Sequence, residues 1–316
     1  MEQELTPPPG TAGQTDAGLE QAAQAIIRAD PDGRLFAATL RRSFDMLLDG
    51  QHTGRYRWDQ LYKTEKTHAG TLVEINLQRA FGFADGDRMD YSIAGTDVDC
   101  KYSQTLGAWM IPPEAHGQVL LVVWANDAEG KWSAGLVRAL PQLLNAGGNR
   151  DGKRTLNIAG RRAIRWIFAG APLPENVLLR IPEEDAEAIF ADTRNGQRRV
   201  DELFRRVQRR RISRTVVATV AMQEDYMKRV RYDGGARSNL QAEGIMILGQ
   251  YRSHRDLAER LGIPVPQAGE SVSVRLAPYS AHHEHLGAPW AILAGEQWTV
   301  ALPQDPPVTV PGLLFR

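Results

Sequence analysis

The sequence predicts an α/β (α+β) protein of two domains, and three observations carry that expectation. Apolar residues recur at helical spacing as far as Phe81, then switch from Met89 onward to strict alternation. A Pro/Gly-rich break, Ala169-Gly-Ala-Pro-Leu-Pro174, divides a chain of 316 residues, long enough for two domains of ordinary size. Beyond the break, two short helical segments separated only by Met222-Gln223 precede a β-rich end. That is the order of a helix-turn-helix followed by strands, a winged-helix arrangement.

The elements follow in order. The stretch 1–18 is polar, carries Pro7-Pro-Pro9 and reads as a disordered tail; it lacks the basic start and apolar middle of a signal peptide. Leu19 to Ile27 is a short helix, broken by Pro31-Asp-Gly33. Arg34 to Asp49 is a second, with Phe36, Leu40, Phe44, Leu47 and Leu48 at helical spacing and Gly50 as its stop. Thr67 to Phe81 is a third, striped by Leu72, Val73, Leu77 and Phe81. The charged segment Lys63 to His68 before it reads either as a helix-start loop capped by Thr67 or as a contact to phosphates or bases through Lys63 and Lys66. Met89, Tyr91 and Ile93 then alternate with Asp90, Ser92 and Ala94; Gly95-Thr96 turns the chain; Val98, Cys100 and Tyr102 alternate with Asp97, Asp99, Lys101 and Ser103. Gln118 to Ala125 is a continuous apolar run, expected as a buried strand, and Ala128-Glu-Gly-Lys131 turns it into Trp132 to Ala139. More helix is expected around Ala159 to Phe168. The first domain is thus expected at 19–168, a linker at 169–175 and the second domain at 176–316. In the second, Arg198 to Arg211, Ser213 to Ala221 and Glu224 to Arg231 are helices, and Gly244 to Leu248, Val272 to Leu276, Ala291 to Leu293 and Trp298 to Leu302 are strands.

Composition narrows the function. Hydrophobic residues make up 42% of the chain, enough for real cores, yet no apolar run reaches the length of a membrane span. The single cysteine, Cys100, excludes an intrachain disulfide framework, and a cytoplasmic protein is expected. Formal net charge is zero, but its distribution is uneven: Arg194 to Arg237 holds 13 Lys/Arg against 5 Asp/Glu. Arg209-Arg210-Arg211, Lys228, Arg229, Arg231 and Arg237 belong to this block, which is able to neutralise several phosphates of double-stranded DNA. The alternative is a solvated, arginine-rich helix face.

The chemistry concentrates in the alternating segment. Residues i and i+2 of a strand share a face, so Asp99 and Lys101 point the same way, and Asp90 on the preceding strand of the hairpin can approach Asp99. Glu74, on the helix leading into the sheet, offers another carboxylate. Carboxylates from different backbone positions suit a hard octahedral cation such as Mg²⁺, which polarises a scissile phosphate and activates water; Lys101 would orient that water or steady the developing charge. The alternative is a solvent-facing salt bridge on a sheet. Two further acid-x-Lys tripeptides, Glu129-Gly-Lys131 and Asp151-Gly-Lys153, contain glycine and sit in turns.

Other motifs are weaker. Gly147-Gly-Asn-Arg-Asp-Gly152-Lys153-Arg154 mimics a phosphate loop but has Arg154 where a Ser or Thr belongs, so a surface loop is expected. His282-His-Glu-His285 lacks helical i, i+4 spacing and lies among Pro and Gly, so a solvated loop is expected rather than a zinc site. No Gly-x-Ser-x-Gly elbow exists, and Cys100 alternates to the face opposite Asp99, which argues against serine or cysteine nucleophiles.

Several blocks closely resemble the NaeI family of type II restriction endonucleases. They are Leu61-Tyr-Lys-Thr-Glu-Lys-Thr-His68, Gly70-Thr-Leu-Val-Glu-Ile-Asn-Leu77, Val98-Asp-Cys-Lys101, Gly107-Ala-Trp-Met110 and Pro112-Pro-Glu114. In the second half they are Glu202-Leu-Phe-Arg-Arg-Val207, Ala218-Thr-Val-Ala221, Met227-Lys-Arg-Val-Arg231, Gly234-Gly-Ala-Arg237 and Glu243-Gly-Ile245. The resemblance runs through nearly the whole chain and is poorest in the first 20 or so residues and after Ser271. It implies a nuclease domain of the restriction-endonuclease PD-(D/E)xK fold and a second domain resembling the winged helix-turn-helix of the catabolite activator protein. It places the active site, catalytic and metal-holding, on Glu74, Asp90, Asp99 and, for catalysis, Lys101. It also implies a Mg²⁺-dependent homodimer that cuts a GC-rich palindrome, GCCGGC, with a second domain that engages another copy of the DNA. A cognate DNA methyltransferase is the expected companion. Competing readings are a non-catalytic helix-turn-helix regulator, resting on the arginine block, and a repair nickase on the same core.

Overall fold

The computed structural model describes residues 16–312, so most of the expected tail, 1–15, lies outside the described residues. The chain forms two compact units: the N-terminal part through Leu47 with Leu61–Glu175, and Leu48–Gln60 with the chain from Asn176 onward. Assignment of Leu48–Gln60 to the second unit has a local cause. Tyr56 stacks on Phe190 with ring centroids 5.4 Å apart, and Asn176 donates its side-chain N–H to the Tyr56 carbonyl at 2.9 Å. Gly50 sits so tightly against Thr219 and the Arg55 carbonyl that a Cβ there would collide with both.

In the first unit, helix α1 (Ala17–Ala29) starts earlier than expected because Asp16 accepts the Leu19 N–H at 3.1 Å and caps it. Helix α2 (Arg34–Leu48) keeps the expected apolar stripe; a short α3 (Gly50–Thr53) follows, in the second unit. Helix α4 (Lys63–Phe81) takes in the whole charged segment that sequence reading ended at a Thr67 cap. The reason is Glu65, whose carboxylate accepts the Tyr62 N–H at 2.7 Å and starts the helix one turn sooner. Strands β1 (Ala84–Asp85), β2 (Tyr91–Ile93), β3 (Thr96–Ser103), β4 (Val119–Asn126), β5 (Lys131–Arg138) and β6 (Arg165–Pro172) form one sheet in sequence order. Only the β3–β4 pair is parallel. Strand β4 is buried on both faces, which explains its unbroken apolar run. One face packs Phe36 of α2 against Trp132 at 5.4 Å and Phe81 at 4.7 Å; elsewhere Trp109, Ile111, Leu120, Val122 and Val137 form a second cluster. The helix expected around Ala159 to Phe168 is only α5 (Ile158–Arg162), and the chain then turns into β6. Ala169–Pro172, expected as linker, therefore pair with β5.

The second unit contains α6 (Glu183–Phe190), α7 (Gly196–Arg206), β7 (Ile212–Ser213), α8 (Arg214–Ala221), α9 (Ala236–Asn239), β8 (Ile245–Leu248), α10 (Arg252–Arg260), β9 (Glu270–Pro278), α11 (Ala281–His285), β10 (Trp290–Leu293) and β11 (Glu296–Val300). Strand β9 is the hub: β7, β8 and β11 all pair with it antiparallel. Val200, Leu203, Phe204, Val216 and Val220 fill one core, and Met246, Leu257, Val274, Leu276 and Trp298 another. The second helix expected at Glu224 to Arg231 is instead a 3-10 stretch, Tyr226–Val230. Met222, at φ 50°, ends α8 in the left-handed conformation, and Val230 alone is buried in the stretch, too little apolar surface to seat a full α-helix. The histidine run is not a solvated loop either: in α11, His283 is 2% exposed and bridges Ser280 Oγ at 2.8 Å and Asp305 Oδ2 at 3.0 Å. The 147–154 segment does form an exposed loop for most of its length. Among the described residues, no helix is long and apolar enough to cross a membrane.

A pH effect arises from α10. His254 is 1% exposed and its Nδ1 accepts the Gly249 N–H at 3.0 Å. Burial, and then the Arg237 charge, hold its pKa down at about 4. An unfolded histidine titrates near ~6.5, so between these values the unfolded chain binds the extra proton and stability falls as pH falls. His254→Asn keeps an acceptor that does not titrate. The stability gap between wild type and this variant is expected to narrow as pH drops from 7 to 4, measured by denaturant melts; a constant gap would contradict the assignment.

Candidate active site

The β2–β3 hairpin and α4 bring four of the sequence-selected side chains into one electrostatic group. Asp90 immediately precedes β2, and its Oδ2 accepts the Cys100 N–H of β3 at 2.7 Å. Asp99 lies mid-β3, 7% exposed, with Lys101 two residues on and on the same face. Lys101 Nζ sits 2.7 Å from Asp99 Oδ2 and donates to the Cys100 carbonyl at 3.1 Å. Glu74, half-buried on α4, senses Asp90, Lys101 and Asp99.

Their electrostatics are those of a crowded anionic site. Burial is the main force raising the Asp99 carboxyl pKa; the neighbouring Asp90 adds to it, and the Lys101 pair only partly offsets it. Glu74 is raised for the same reasons, burial first and the Asp90 charge next. Burial works against the Lys101 ammonium, yet its bond to Asp99 and the charges of Asp99 and Asp90 outweigh that and raise its pKa. Cys100, buried on the opposite side, is pushed up to about 12, chiefly by burial, and stays a neutral thiol. Apart from the Lys101 ion pair, no hydrogen bond reaches the occluded Asp99 Oδ2.

One residue at this site escaped the sequence reading. Tyr91 is fully buried, and its hydroxyl donates to the Glu74 carbonyl at 2.7 Å. Alternation marked it only as a core position; the available signal was that a buried tyrosine needs a partner for its hydroxyl. Gly70, one turn before Glu74 on α4, has no atom within 4 Å of where a Cβ would stand, so the helix is open there.

The cationic candidates divide differently. Lys63 and Lys66 lie in the first turns of α4, the helix that carries Glu74. In the second unit much of the arginine excess is already engaged. Arg205 binds Glu243 at 2.7 Å, and Arg206 binds Asp185 at 2.8 Å and Glu202 at 3.0 Å. Arg211 lies 3.7 Å from Glu270 and Lys228 3.0 Å from Asp225. Arg210 donates to the Arg180 carbonyl at 2.8 Å, Arg229 to Gln223 at 2.7 Å and Arg237 to the Ile247 carbonyl at 3.0 Å. Arg209, Arg211, Arg214, Lys228 and Arg231 remain exposed.

Acids and a lysine gathered on one strand pair, with a third acid lent by a helix, are the equipment of a phosphodiester-cleaving nuclease, and a mixed α/β nuclease is the class that fold and site fit. Residues 20–309 match the family model of the restriction endonuclease NaeI, and the chain belongs to that family. It is 47% identical over 313 residues to the type II restriction enzyme NaeI of Lentzea aerocolonigenes, an alignment covering 97% of this chain and 98% of that relative. The match runs well past Ser271, where the resemblance of short blocks had faded.

Proposed function

We propose that this restriction endonuclease hydrolyses both strands of a GC-rich palindrome, GCCGGC by its family, with Mg²⁺ held by Asp90, Asp99 and Glu74. The observation that carries this reading is the Asp99–Lys101 pair on β3, with Asp90 and Glu74 beside it. Three carboxylates against one ammonium leave a surplus of negative charge in a half-buried site, which a divalent cation would neutralise. Asp99 Oδ2, buried and paired only with the Lys101 ammonium, suits a ligand role. Among the described residues no three His, Cys, Asp or Glu are grouped so as to hold a metal ion, so waters and substrate phosphates would have to complete the shell around a cation here. That pattern fits Mg²⁺, which keeps several waters and recruits substrate phosphates. When bound, the cation supplies Lewis-acid polarisation of the scissile phosphate. Lys101 holds its ammonium beside Asp99, where it can orient the attacking water and offset charge on the phosphate. Asp90 fixes the backbone of β3 through the Cys100 N–H, keeping Asp99 and Lys101 in place.

Two protomers facing a two-fold site would cut one strand each, and a homodimer belongs to the proposal. The PD-(D/E)xK and winged-helix assignments also belong to it, as does a second DNA contact through Arg209, Arg210, Arg211, Lys228, Arg229, Arg231 and Arg237. The exposed members would carry most of that contact. Lys63 and Lys66 would touch the cut DNA, and Gly70 leaves room for its backbone. Action in the cytoplasm beside a cognate methyltransferase completes the reading. The test is incubation of plasmid bearing GCCGGC sites with protein and Mg²⁺, followed by sequencing of the ends. Discrete linear fragments with ends inside that sequence support the proposal. Nicked circles would indicate the repair nickase, and intact, retarded DNA the regulator.

A further inference from the structure

We propose that Tyr91 is a positioning residue, whose hydroxyl ties the Glu74 turn of α4 to the strand pair that carries Asp90 and Asp99. The inference rests on the reading of those acids as a cation-holding nuclease centre and concerns how the centre is kept assembled.

The geometry is specific. Tyr91 directly follows Asp90, and its Cα pairs with Val98, the residue before Asp99. Alternation turns its side chain away from the Asp90 face. There it is fully buried and reaches the Glu74 main-chain carbonyl at 2.7 Å. The helix does not require this bond. Only the last four carbonyls of a helix lack an internal partner, and Glu74 lies well inside Lys63–Phe81. The bond therefore uses the second lone pair of a carbonyl already engaged by the helix. Its structural effect is to pin one turn of α4, the turn that carries the Glu74 carboxylate, to β2.

Such a tie has something to resist. Glu74 lies on α4, Asp90 just before β2 and Asp99 on β3, and the charges of Asp90 and Asp99 act against ionised Glu74 while Lys101 favours it. Among the described residues no hydrogen bond to the Glu74 carboxylate holds it toward the other acids, and its register comes from the α4 backbone. Tyrosine is the residue that combines a core ring with a polar tip. Phenylalanine would fill the same space and lose the tie together with the hydroxyl's contact to the Cys100 thiol.

The experiment compares full-length wild type, Tyr91→Phe, Glu74→Gln, the double variant and Tyr102→Phe. Tyr102 is the control: a half-buried tyrosine, on β3, whose hydroxyl donates to the Ala125 carbonyl at 3.3 Å. Binding of Mn²⁺ alone, without DNA, is followed by electron paramagnetic resonance, beside the Mg²⁺ concentration giving half-maximal cleavage and a thermal melt. Expected is a Mn²⁺ affinity about tenfold weaker in Tyr91→Phe, the scale seen when groups that orient metal ligands are removed. The Mg²⁺ requirement should shift in parallel, while Tyr102→Phe moves neither. The double variant should bind Mn²⁺ no more weakly than Glu74→Gln, because the tie acts through Glu74. If Glu74→Gln weakens Mn²⁺ binding but Tyr91→Phe matches the wild type within twofold, the positioning role is overturned and the metal reading survives. If Glu74→Gln itself leaves Mn²⁺ binding intact, the role of Glu74 falls and the Tyr91 proposal with it.

Discussion

Asp99→Asn is expected to lose strand cleavage by about a thousandfold or more while still binding its DNA site. A metal ligand at a phosphoryl centre supplies several kcal/mol of transition-state stabilisation, and each ~1.4 kcal/mol is a factor of ten. The substitution keeps the shape of the side chain and removes its charge, so the loss reports chemistry rather than collapse. It carries a second expectation, of opposite sign. Burial raises the Asp99 pKa, which means that the folded state disfavours the ionised carboxylate relative to the unfolded chain. That penalty is present above the folded pKa and vanishes as pH falls and Asp99 protonates in both states. Without added metal, Asp99→Asn should therefore be at least as stable as wild type at neutral pH, with the difference fading in acid. Lys101→Ala should also bind and fail to cut. Plasmid cleavage, mobility shift and melts across pH read all of this. Near-normal cleavage by Asp99→Asn would remove the proposed centre; loss of folding would show that the carboxylate is structural.

The site and the fold were legible to different degrees, for physical reasons. Asp90, Asp99 and Lys101 were readable because a strand has a period of two and a tight turn folds it back; face and proximity follow from those facts alone. Glu74 needed the helix α4, and Tyr91 was visible only as an apolar position. Its partner is a backbone carbonyl seventeen residues away in sequence, which no periodicity encodes. Helix starts were misplaced where a side chain supplied the capping bond, at Asp16 and at Glu65. The expected helix at Glu224 to Arg231 failed because its charged residues satisfied a helical pattern without enough apolar surface to anchor one. Charge counting overstated the arginine block for a related reason. A count registers Arg205 and Arg206 as cations, whereas the fold spends them on Glu243, Asp185 and Glu202. Leu48–Gln60 joins the second unit through contacts such as Tyr56–Phe190, which are long-range and silent in local sequence.

Arg199 illustrates the same point and gives the largest expected effect on stability. By sequence it is one more member of the basic block; in the fold it is 3% exposed. Its Nε donates to the Val220 carbonyl at 2.6 Å, Nη2 to Ala221 at 2.6 Å and Nη1 to Asp192 at 2.7 Å. Val220 and Ala221 end α8, where carbonyls have no internal partner and the helix dipole is negative, so a buried guanidinium satisfies both geometry and charge. Gly196, one turn earlier on α7, has no room for a Cβ beside the Ala221 carbonyl, and this absence lets the two helices approach. Arg199→Leu fills similar space but strands three carbonyls. At about 1–3 kcal/mol for each buried group left unsatisfied, the loss is several kcal/mol, a large part of a typical domain's ~5–15. The second unit should unfold at much lower denaturant, or fail to accumulate as soluble protein, and Arg199→Lys should rescue only part of the loss because one ammonium cannot reproduce the planar fork. An Arg199→Leu protein that unfolds within about 1 kcal/mol of wild type would mean that water reaches these carbonyls and that the contact is not the clamp its geometry describes.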